Sequence, residues 1–140
     1  MRIVSLQVNP NQLTLLSENQ QVFSFEENVN IIFSTKNSVG KTTLLRLLMY
    51  AMGYPIPNTR GIRFSDYETV LTVVGANDES FALTRNRDYI EVLNGGADKG
   101  YSLPVEQNEL HSMIYGISNL EVVDNLLGAF YVDQEKGWTY

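Results

Sequence analysis

The chain has 140 residues, 44% hydrophobic, 11% aromatic and 19% charged, which fits one globular domain and excludes disorder, collagen-like repeats and low-complexity tails. Sixteen acidic against ten basic side chains, a formal net charge of -6, exclude a strongly basic nucleic-acid module, so any DNA contact is local or supplied by other sequence. With no cysteine and the lone His111, disulfides and thiolate or histidine zinc sites drop out; without a long apolar run or signal-peptide layout, a cytoplasmic protein with no membrane partner is expected.

The first third reads as short strands: Arg2 to Val8, Leu13 to Leu16, Gln21 to Phe25 and the apolar run Val29 to Phe33. STKNSVGKTT follows directly. Then Leu44, Leu45, Leu47, Leu48 and Met52 recur at helical spacing until Gly53, and the prolines of YPIPNTRG make Tyr54 to Gly61 an irregular connector. From Glu68 to Asn94, three β-favouring stretches separated by turn residues predict an antiparallel meander. Pro104 suits the first turn of a helix that places Leu110, Met113, Ile114 and Ile117 on one face, with Gly116 near its end. Ser118 and Glu121 form a capping box for a further short helix carrying Leu120, Val123 and Leu127, and AFYVDQEKGWTY closes the chain as a short strand and polar end.

The most informative stretch is Ser34 to Thr43. A phosphate-binding loop needs a buried strand, a turn whose backbone N–H groups converge, and a helix that begins at a lysine, so that amides and helix terminus together hold phosphate. The order here is apolar run, Gly40-Lys41-Thr42-Thr43, amphipathic helix. In that reading Gly40 lets the backbone approach the phosphates, Lys41 pairs with β- and γ-phosphate oxygens, and the Thr42 hydroxyl faces Mg²⁺. Thr35 stands where the full pattern has glycine. A bare Gly-Lys-Thr is common by composition, and its flanking strand and helix are what give it weight; the plain alternative is a β-to-α turn with solvated polar residues.

FSTKNSVGKTTLLRLL resembles the nucleotide loop of ABC-type ATPases of the SMC, RecF and RecN group, which includes double-strand-break repair ATPases. Asn37, Gly40, Lys41, Thr42 and Thr43 match, whereas Ser38 and Val39 stand where glycine and serine are commoner. The resemblance implies an α/β P-loop NTPase fold: an ABC-ATPase-type N-terminal lobe with an antiparallel β meander beside a P-loop strand–helix unit, spanning 1–140 as one domain cut from a longer chain. It implies ATP and Mg²⁺ as cofactors, with residues Asn37, Ser38, Val39, Gly40, Lys41, Thr42 and Thr43 around the nucleotide. It also implies a Q-loop glutamine at Gln134, a catalytic residue beside Lys41 and a metal contact beside Thr42. Asp133, after Ala129 to Val132, fits a Walker B aspartate toward Mg²⁺ as the rival reading, and a plain strand end is the third.

The same resemblance implies that hydrolysis needs what this stretch lacks: a signature Ser-Gly-Gly loop, a Walker B Asp-Glu and a switch histidine. The expected partners are therefore a C-terminal ATPase lobe, a second copy in a homodimer and, through the longer protein, DNA, in repair, chromosome maintenance or defence. Little or no turnover by the isolated chain is expected. Two other classes stay open. One is a non-catalytic scaffold with a degenerate P-loop, motivated by Thr35; the other is a stand-alone P-loop kinase or GTPase, against which no guanine-reading Asn-Lys-x-Asp occurs. Arg60 and Arg63 are weaker candidates for reaching nucleotide or DNA, Arg85 and Arg87 read as surface residues flanking a hairpin turn, and Trp138 and Tyr140 as packing aromatics.

Overall fold

The computed structural model describes residues 1–10, 21–28, 30, 41–57, 62–121 and 123. Strands β1 (Arg2–Pro10) and β2 (Gln21–Ser24) precede helix α1 (Lys41–Ala51). Next come β3 (Tyr67–Val74), β4 (Ser80–Asn86), β5 (Tyr89–Asn94), β6 (Ala97–Ser102) and helix α2 (Gln107–Tyr115). A 3-10 turn, Phe64–Asp66, leads into β3.

The strands form one six-stranded sheet in the order β2-β1-β3-β4-β5-β6, and every pairing is antiparallel. This corrects the expected fold class. The described architecture is an antiparallel sheet with two helices, α1 and α2, and not an α/β P-loop strand–helix unit with a meander beside it. The reason is physical: an amphipathic helix after an apolar run buries its face equally well on an antiparallel sheet, so hydrophobic periodicity carries no information about strand direction. The run Val29 to Phe33, which was to supply the strand, lies outside the described residues apart from Asn30, as do Leu13 to Leu16, the helix expected from Ser118 apart from its first residues, and the closing strand.

Alternation sets the buried face. Across the sheet, Phe23, Leu6, Leu71, Leu83 and Val92 stand opposite one another in one row. Val8, Thr69, Arg85, Ile90 and Tyr101 form the next. A register shift between Ile3 and Ser5 re-phases β1, so that Ile3, an odd number of residues from Leu6, still packs against the same core. Leu48 and Met49 of α1 and Met52 just past its end, with Leu110 and Ile114 of α2, close that core. At about 25 cal/mol per Å² of apolar surface, fully burying each such side chain is worth roughly 1.5–3 kcal/mol.

Both helices end where glycine takes over. α2 stops at Gly116, φ 68, whose amide donates to the Ser112 carbonyl at 3.0 Å. Pro104 sits in the turn before α2 and outside the helix, which begins at Gln107, and Ile117 lies beyond it, 40% exposed. The meander strands stand where sequence placed them, joined by β6, which sequence did not predict.

Candidate functional site

Lys41 is the first residue of α1, and Thr42 and Thr43, both half-buried, complete its opening turn, which holds no acidic side chain. The first N–H groups of a helix lack intrahelical partners and the helix dipole is positive there, so such a turn, bearing two hydroxyls, suits an anion. Among the sequence-predicted site residues, the structure therefore places Thr42, Thr43 and the Lys41 backbone together. Asn37, Ser38, Val39, Gly40, Thr35, Asp133 and Gln134, with the Lys41 side chain, lie outside the described residues.

What holds α1 in place was not foreseen. At its carboxyl end Gly53 takes φ +98; its amide donates to the Tyr50 carbonyl at 2.9 Å, and the Tyr54 amide donates to Met49 at 3.2 Å. This is the paired 6→1 and 5→2 pattern of a Schellman end. Side chains from two other elements then grip the end. Arg85 Nη1 of β4 donates to the carbonyls of Tyr50 at 2.5 Å and Tyr54 at 3.2 Å, while its Nε donates to the Arg87 carbonyl at 2.7 Å. From α2, His111 Nε2 lies 2.8 Å from the Met52 carbonyl, so that nitrogen carries the proton and donates. The His111 ring stacks on Tyr54 with centroids 4.3 Å apart, and the Tyr54 and Tyr115 hydroxyls meet at 2.8 Å.

Arg85 is thus a correction: expected at the surface, it is buried, 5% exposed, with its guanidinium 3.7 Å above the Tyr50 ring. Burial pushes the guanidinium below the usual arginine value, opposed by Tyr50 and Asp88; burial likewise pushes the Tyr50 phenol up, opposed by Arg85. The guanidinium stays charged, because arginine starts far above neutral pH, and a cation at the negative end of a helix is favourable. A signal was available: Phe81, Leu83 and Arg85 share the inward phase of β4. Arg87, by contrast, is exposed as expected, and so is Arg63, while Arg60 lies outside the described residues.

Beside this end lies an open cleft of about 380 Å³, lined among others by Tyr50, Phe64, Ser65, Arg87, Asp88 and Gln107. Among the described residues no cluster of three or more His, Asp and Glu could hold a metal ion, and no helix is long and apolar enough to cross a membrane.

No family model matches the chain. It is 25% identical over 134 residues to Lamassu protein LmuB of Bacillus cereus (strain VD014), an alignment that takes in 82% of this chain and 22% of that protein. The chain thus spans about a fifth of the length of the curated relative it matches. This distant likeness is loosely consistent with the SMC-like resemblance carried by residues 33–48.

The two ends of α1 differ in chemistry. The amino end carries Lys41, Thr42 and Thr43 with no carboxylate in its turn; the carboxyl end is closed by donors from β4 and α2.

Proposed function

We propose that the chain is the ATP-binding amino-terminal part of a longer SMC-like ATPase, with ATP and Mg²⁺ taken at the amino end of α1. The supporting observation is that α1 opens with Lys41, Thr42 and Thr43 and carries no acidic side chain in that turn; the distant likeness to LmuB points the same way. In this reading the helix amides and the Lys41 ammonium bind phosphate oxygens, and the Thr42 hydroxyl is the hard oxygen donor that Mg²⁺ prefers. Mg²⁺, when bound with the nucleotide, supplies charge neutralisation on the phosphates. The resemblance adds Gln134, or Asp133, as a second group toward the metal. The resemblance assigns hydrolysis to the longer protein, with its C-terminal lobe and a second copy.

Calorimetric titration of the chain with ATP·Mg²⁺ tests this. Saturable binding that Lys41→Ala abolishes is the expected result. No binding by the wild type at millimolar nucleotide, or equal affinity in the variant, removes the reading and leaves a non-catalytic scaffold. Appreciable hydrolysis by the chain alone favours a stand-alone enzyme instead.

A further inference from the structure

We propose that Arg85 and His111 form a clamp on the carboxyl end of α1 that sets the position of its amino end, making Arg85 a positioning residue for the nucleotide turn Lys41–Thr43. The nucleotide half of this inference rests on the function proposed above; the positioning half does not.

The last carbonyls of a helix have no intrahelical partners, and water or a C-terminal glycine motif ordinarily serves them. Around the end of α1, in addition to the Gly53 motif, the carbonyls of Tyr50, Met52 and Tyr54 receive donors from two elements distant in sequence, Arg85 on β4 and His111 on α2. The two grips have different characters. Arg85 reaches Tyr50, Tyr54 and the Arg87 carbonyl at once, which ties the helix end to the β4–β5 turn. His111, 3% exposed and stacked on Tyr54, ties the same end to α2. Neither bond tolerates a rotation of α1 about its axis or a slide along it, because hydrogen bonds weaken steeply away from their preferred length and angle.

The choice of residue supports a positioning role. Position 85 follows Phe81 and Leu83 on the inward face and stands opposite buried Thr69 and Ile90, so an apolar side chain would continue the pattern. Burying a guanidinium there costs desolvation that apolar packing would not, and what it supplies in return is direction: several bonds of fixed geometry to one helix end. α1 is short and stiff, and its 11 residues span about 16 Å, so a displacement at Tyr50 carries to Thr42 with little damping.

The test combines ATP·Mg²⁺ titration with backbone amide NMR on the chain as wild type, Arg85→Lys and Arg85→Gln. Lysine keeps the charge but has no planar fork to bridge three carbonyls at once. In Arg85→Gln, still folded by its thermal transition, the amide resonances of Thr42 to Leu45 shift, their hydrogen exchange rises, and ATP·Mg²⁺ affinity falls about fivefold or more, with Arg85→Lys between it and wild type. A purely structural role would lower the melting temperature and leave the first-turn amides where they were; that result in either folded variant overturns the proposal. If Arg85→Gln does not fold, Arg85→Lys decides by the same amides. If the wild type binds no ATP, the nucleotide half falls and the amide shifts alone decide whether the clamp positions α1.

Discussion

Gly53 is the tightest point in the arrangement that holds α1, and Gly53→Ala measures it. A Cβ at this position lies 3.0 Å from Leu110 Cδ2, 3.3 Å from Ile90 Cδ1 and 3.4 Å from His111 Nε2, and both apolar neighbours are fully buried. The substitution also forces an L side chain onto φ +98. The left-handed conformation alone costs about 1–2 kcal/mol, and pressing a methyl into a close-packed core adds about 1–3 kcal/mol, so a loss of roughly 2–5 kcal/mol is expected. Gly95→Ala is the control. Gly95 has φ +54 and nothing within 4 Å of its would-be Cβ, so only the conformational cost, about 1–2 kcal/mol, remains there. Urea denaturation of the two variants beside wild type reads the difference directly. Equal losses at Gly53 and Gly95 would refute the claim that α1, β5 and α2 converge on this glycine.

Two further substitutions probe buried polar groups. Thr69 is fully buried opposite Arg85, and its Oγ1 has no hydrogen-bond partner among the described residues, so Thr69→Val is expected to raise stability by about 1 kcal/mol in the same denaturation assay; a loss of that size would mean the hydroxyl is bonded. Tyr50 has a buried hydroxyl likewise unpartnered among the described residues, and burial raises its phenol above the ordinary value of 10.0. The fold therefore prefers the neutral phenol, and that preference contributes stability fully present below the ordinary value and lost as pH rises through the raised one. Tyr50→Phe should leave neutral-pH stability unchanged or slightly higher and flatten the decline of the unfolding midpoint above about pH 10. Parallel declines in wild type and variant would contradict this.

Much of the local structure was legible in the chain. The leucine spacing of Leu44 to Met52 and the stop at Gly53 mark α1, and the alternation of Glu68 to Asn94 marks three neighbouring strands, because each pattern reports one face buried at a fixed period. Strand β6 was missed because ADKGYS holds residues depleted in strands; it forms because β5 offers an edge, and Tyr101 reaches the core from opposite Ile90. The fold class was misread for a different reason. Strand direction depends on which strands pair, β1 with both β2 and β3, and that pairing is a tertiary outcome with no local signature. At the site, the motif reading of Lys41, Thr42 and Thr43 as nucleotide contacts stays a proposal, and Arg85 was not legible, since a charged residue beside a turn is ordinarily solvated and only the inward phase of β4 argued otherwise.

The claim that α1 receives nucleotide at its amino end is tested most directly by mapping amide chemical-shift changes while ATP·Mg²⁺ is titrated into the chain. The account predicts saturable changes that are largest at Lys41, Thr42 and Thr43 and smaller toward Gly53. No change at millimolar nucleotide, or changes confined to Gly53, Ser65, Arg87 and Gln107 around the cleft at the opposite end, would contradict it.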